Sequence, residues 1–129
     1  MPNAIQSRTL VGGGASKVLV LHRHITSDGS EESNTVIYDN SAFVNNVLKG
    51  NLVELRVTGA DCLLSFAWDQ NTDSKVIAVN PIDSPYVCLK DIGGIPNPGA
   101  TGATGDLLLS TANLDSGDEV TIIMTIWQN

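Results

Sequence analysis

The chain is short of charge, of aromatic rings and of cysteine. Charged residues make up 16% and aromatic residues 5% of its 129 positions. The 42% apolar content rules out a globally disordered chain, because enough surface can be buried to offset backbone entropy. No apolar run approaches the ~20 residues that a helical membrane span needs, so no membrane partner is expected. The first nine residues are polar with one Arg, and Leu10–Val11 stops at three glycines, so no export signal is expected. Only Cys62 and Cys88 are present, in no zinc spacing, and both are expected as buried free thiols inside strands.

Bases are scarce as well. Seven Lys and Arg face fourteen Asp and Glu, a net charge of −7, so binding to nucleic acid is not expected. That charge is unevenly placed. Residues 1–27 hold no acid and carry Arg8, Lys17 and Arg23, whereas the remaining 102 residues sum to −10. Residues 1–16 contain Pro2, the Gly12–Gly14 run and isolated apolar side chains. They are expected as an extended N-terminal arm, with residues 17–129 forming the domain. A chain of this mass folds with about 6,600 Å² exposed, which allows one real core.

Strand formers are abundant. Val, Ile and Thr number 12, 10 and 10, against four Glu and four Lys. Alternation is clear over Asn51–Thr58, Cys62–Asp69 and Val120–Ile126, with Gly59–Asp61 as a tight connection. Val18–Ile25, Asn34–Asp39, Val76–Asn80, Tyr86–Lys90 and Asp106–Thr111 bring the expected strands to eight. Eight short strands predict an all-β, antiparallel β-sandwich, jelly-roll-like, with a closed barrel as the other option. Ile123 and Trp127 break the polar face of the last strand, so a second contact is expected to cover them. Ala42–Lys49 is expected as a short helix capped by Ser41 or Asn40.

Motifs of chemistry are weak. Gly12–Val18 lacks the Gly-Lys-Ser/Thr ending of a phosphate loop. His22 and His24 share one strand face, but no third ligand stands at local spacing. Asp69, Asn71 and Asp73 imitate the start of a calcium loop, yet Ser74 and Asn80 replace the required Gly and Glu. No catalytic residue, metal or cofactor is assigned, and the turn-borne acids such as Glu31 and Asp118 read as a solvated rim. Gly93–Gly105, with seven Gly or Pro in thirteen residues, predicts an irregular contact loop. Trp127 and Tyr86 are the two rings that suit a sugar platform.

The stretch T-V-I-Y-D-N-S-A-F-V-N-N-V-L-K-G-N-L-V-E-L-R-V-T-G-A-D-C-L-L-S-F-A-W-D-Q (residues 35–70), the G-A-T-G loop and the closing strand resemble small virion proteins of tailed bacteriophages. Within that group the chain is most similar to head decoration, or cement, proteins. The resemblance implies a non-enzymatic β-domain, often trimeric, made in the host cytoplasm and placed on the capsid exterior. It implies the major capsid protein and other copies of the chain as partners. It also implies an N-terminal arm as the capsid contact, with Ile5, Leu10 and Val11 as apolar anchors and Arg8 and Lys17 as cations. A carbohydrate-binding or adhesion module, and a tail or baseplate component, are the alternatives.

Overall fold

The structure is a computed structural model that describes residues 3–11, 18–39, 50–92, 94–96, 101–102 and 104–128. The expected helix over 42–49 lies outside these residues, as does Lys17.

All ten strands pair antiparallel. They are β1 (Ala4–Val11), β2 (Val18–Thr26), β3 (Thr35–Tyr38), β4 (Gly50–Gly59), β5 (Leu63–Trp68), β6 (Ser74–Val79), β7 (Tyr86–Cys88), β8 (Ile95–Pro96), β9 (Leu107–Ala112) and β10 (Glu119–Gln128). The larger sheet runs β1-β2-β10-β4-β7, with β8 also on β4, and the smaller runs β3-β9-β5-β6. Two sheets with one shared core make a β-sandwich. Its accessible surface is 6382 Å².

The core follows the two-residue period of the sequence. Leu19, Leu21 and Ile25 of β2 and Val120, Ile122, Met124 and Ile126 of β10 are buried. Leu64, Phe66 and Trp68 of β5 and Leu107 and Leu109 of β9 meet them from the other sheet. The buried Trp68 ring keeps its polar edge satisfied, because its indole N–H donates to the Ile95 carbonyl at 3.3 Å.

The eight expected strands all form. Two more are present. β8 spans only two residues, and β1 is the segment expected as an arm. Ala4–Val11 pairs with β2 from Ala4↔Thr26 to Val11↔Val20, with a bulge after Thr9. The physical reason is a double anchor. Ile5 packs against the core. Asn3 is buried, donates to the Ser30 carbonyl at 3.0 Å and to Glu32 Oε2 at 2.5 Å, and accepts the Asp28 N–H at 3.0 Å. Residues 4–11 are therefore an edge strand of the large sheet rather than an arm apart from the body.

Arg23 sits on the inward register of β2, between Leu21 and Ile25. Its Nε donates to the Ile37 carbonyl at 2.8 Å and Nη1 to the His22 carbonyl at 2.9 Å. Its guanidinium thus ties the large sheet to β3 of the small one.

Candidate functional site

The outward face of the large sheet is set by registry. Residues beside the buried ones point away from the core, so Val18, Val20, His22 and His24 of β2 lie beside Trp127, Thr125, Ile123 and Thr121 of β10. Glu54, Arg56 and Thr58 of β4 continue the rows on the far side of β10. Tyr86 and Cys88 of β7 complete them beside Arg56 and Glu54. Val18 is 41% exposed and Tyr86 46%, while Val20, Ile123 and Trp127 are half-buried. Apolar side chains thus run through a face that is otherwise Thr and charge. The single chain supplies no second layer over Ile123 and Trp127 among the described residues.

The anchor residues expected for a capsid contact divide. Ile5 is turned into the protein's own core and is not a free anchor. Arg8 is exposed on β1 and registers with His22. Leu10 is 48% exposed in the bulge. Val11 ends the strand opposite Val20. Lys17 lies outside the described residues. Among the described residues, the far side of β1 pairs with no other strand.

One polar cluster stands at the β4–β7 margin. Tyr86 donates its hydroxyl to Glu54 Oε2 at 3.0 Å. Lys90 Nζ lies 3.4 Å from the same oxygen and Arg56 Nε 3.7 Å from Oε1. The Arg56 guanidinium stacks 4.3 Å over the Tyr86 ring, a cation–π contact. Hydrogen bonds from Tyr86 and then Lys90 hold the Glu54 carboxyl below its usual range. Hydrogen bonding to Cys88, and then to Glu54, pushes the Tyr86 phenol up to about 12. Tyr86 is therefore a neutral donor at neutral pH. Cys88 is exposed beside it, a correction to the expected buried thiol, whereas Cys62 is buried as expected. The reason is registry: Val87 takes the inward position of this three-residue strand, which turns both of its neighbours out.

His22 and His24 share their face but build no ligand pair. His24 uses both ring nitrogens, Nδ1 at 2.9 Å from Thr121 Oγ1 and Nε2 at 3.1 Å from Glu119 Oε1. Burial first, and the nearby cations of Arg8, His24 and Arg23 next, lower the His22 pKa. Among the described residues, no three His, Cys, Asp or Glu side chains stand together as a metal site.

Two acids of the calcium-like loop are engaged, one by its own backbone and one by a neighbouring loop. Asp73 Oδ1 accepts the Gln70 N–H at 3.2 Å, and Asp69 Oδ2 accepts the Thr104 hydroxyl at 2.8 Å. Glu31 and Glu32 are also more than a solvated rim. Glu31 accepts the Leu114 N–H at 3.2 Å and the Thr111 hydroxyl at 2.9 Å, and Glu32 accepts the Thr35 hydroxyl at 2.6 Å. Nothing local in the sequence signals the Glu31 bonds, whose donors lie about 80 residues away.

A groove of about 570 Å³ crosses the outer side of the small sheet. Ser65, Ala67, Ala78 and Ser110 line it, with Asp73 and Lys75 also at its wall. Ser110 and Asn34 bond to each other there, the Asn34 N–H donating at 3.0 Å. The lining holds the hydroxyls of Ser65 and Ser110 and one charge of each sign, Asp73 and Lys75.

Compared with protein families, with curated proteins and with solved structures, the chain matches none of them.

Proposed function

We propose that the protein is a virion structural component that decorates the head exterior of a tailed bacteriophage. In this reading it binds the major capsid protein and works without catalysis. The supporting observation is β1, an eight-residue strand at the edge of the large sheet, whose far side pairs with no other strand among the described residues. An open edge of that length accepts an added strand from another chain. Arg8 and Leu10 stand exposed along it, one cationic and one apolar. An extended segment of a capsid subunit would pair with the edge and seat against these two side chains. Many copies on a symmetric shell then act together, so a weak single contact suffices.

The test is sedimentation of the protein with purified heads. Deleting residues 1–16 would remove β1 and Ile5 from the fold, so point changes are cleaner. Arg8→Glu with Leu10→Asp should leave the melting midpoint within a few degrees and abolish binding. Wild-type occupancy by that variant would refute the edge contact.

Carbohydrate binding is the second reading, favoured by Tyr86 and Trp127 standing on one face. Trp127→Ala should then abolish retention on a glycan array while the fold persists.

A further inference from the structure

The groove on the outer side of the small sheet has a floor set by registry. Ser65 and Ala67 alternate with the buried Leu64, Phe66 and Trp68, so both face outward. Ala78 of β6 and Ser110 of β9 lie opposite Ser65 on either side. These four short side chains make a depression three strands wide, about 10 Å across at ~4.8 Å per strand. Longer side chains stand around it, Asn34 next to Ser110, and Asp73 and Lys75 at the β6 margin. The groove holds about 570 Å³, within the ~300–1,000 Å³ of small-ligand sites.

Its polar groups have bonding capacity to spare. The Ser65 hydroxyl and the exposed Lys75 ammonium have no side-chain partner among the described residues. Asp73 gives Oδ1 to the Gln70 N–H at 3.2 Å and keeps Oδ2. Asp73 and Lys75 are two residues apart, yet among the described residues they form no ion pair with each other. The opposite wall is fixed. Asn34 has a left-handed backbone, with φ of 49°; its N–H donates to Ser110 Oγ at 3.0 Å and its Oδ1 accepts the Ser110 hydroxyl at 3.3 Å.

We infer that this groove binds a neutral saccharide of disaccharide size. The charges select the class. An anion would face Asp73 and a protein of net charge −7, and a cation would face Lys75. A sugar hydroxyl both donates and accepts, so one ring can donate to Asp73 and accept from Lys75 while bringing no charge of its own. The Ala67 and Ala78 methyls meet its C–H surface, and the Ser65 and Ser110 hydroxyls meet its polar edges. An amino-acid zwitterion matches the two charges but leaves most of the volume unfilled. The groove offers no ring to stack on, since Phe66 touches it while only 1% exposed. Affinity therefore rests on hydrogen bonds, and a dissociation constant on the order of 1 mM is expected.

The groove is separate from β1 and from Tyr86 and Trp127, so this inference stands apart from capsid binding and from a sugar platform on the large sheet. The test is two-dimensional proton–nitrogen NMR of the full chain, titrated with maltose, cellobiose and lactose to about 20 mM, which fills a millimolar site. At least one of the three should shift the amides of Ser65, Ala67, Lys75 and Ser110. Raising NaCl from roughly 0.05 M to 0.5 M should leave its midpoint unchanged, because a neutral ligand is not screened. Lys75→Ala, at an exposed position, should weaken binding about tenfold through loss of a hydrogen bond to a charged group, and Lys75→Arg should retain it. Ser65→Val, which suits a strand but fills the floor, should abolish the shifts. Glycylglycine and inorganic phosphate are the charged controls. No shift with any of the three sugars, shifts undiminished in Lys75→Ala, or a response to glycylglycine or phosphate alone overturns the inference. Shifts centred on Thr121 and Trp127 instead would support the large-sheet platform and overturn this site.

Discussion

Gly59 closes β4 with φ of +130°, at the point where the chain leaves the large sheet. A Cβ there would collide with the Glu119 carbonyl and crowd the Val120 Cα at 2.9 Å. Gly59→Ala therefore carries two costs. A left-handed backbone costs an L-residue roughly 1–2 kcal/mol. Relieving the collision moves the start of β10 and breaks the Ala60 N–H bond to the Glu119 carbonyl, 3.2 Å long, worth about 1 kcal/mol. The expected loss is about 2–3 kcal/mol, or roughly 8–12 °C in Tm for a chain of this length. Gly117 supplies the control. Its φ is +88°, but nothing lies within 4 Å of its Cβ position. Gly117→Ala should lose only the backbone part, about 1–2 kcal/mol. Thermal and urea unfolding of the two variants side by side read the difference. Equal losses would refute the claim that the Gly59–Glu119 approach, rather than φ alone, requires glycine.

Three more outcomes follow from the side-chain environments. In the native protein one thiol, Cys88, should react quickly with a disulfide reagent, and Cys62 only on unfolding; two fast thiols would contradict the burial of Cys62. Alkaline titration followed in the ultraviolet, with Tyr86→Phe as the blank, should place the Tyr86 midpoint near 12, and Cys88→Ala should lower it. Because the folded pKa lies above the unfolded ~10, the Tyr86 contribution to stability is present below pH ~10 and fades toward 12. His22 has the opposite sign: its folded pKa is depressed below 6.5, so its contribution is present above that pH and is lost as pH falls through the folded value. Proton NMR of the imidazole should give a midpoint below 6.5, and a midpoint above it would contradict the buried, cation-flanked setting.

Alternation made most of the fold legible. Leu55 and Val57, and Leu64, Phe66 and Trp68, lie where a two-residue period puts them, whereas the irregularity of β4 opposite Thr125 and Ile126 puts Leu52 rather than Val53 into the shared core cluster. β1 was hidden because an edge strand needs little apolar patterning: Ile5 is its one side chain packed against the core among those described. Its pairing depends on β2, beyond the glycine run, and on Asn3 clamping a loop 25 residues away. Cys88 was readable in principle, since an exposed Tyr86 two residues earlier on the same strand fixes its side. The Arg23 bridge to Ile37 and the Glu31 bond to Leu114 were not, because both join elements whose neighbourhood only the folded sheets define. The outer face was visible in part. Ile123 and Trp127 stood out as apolar residues on a polar row, but the cations beside them come from β4 and the turn after β7.

The central claim is placement on the outside of a phage head. Electron microscopy of intact virions labelled with gold-conjugated antibody against this chain tests it directly. The account predicts label distributed over the head surface. Label confined to tail or baseplate, or intact particles that carry none, would contradict it.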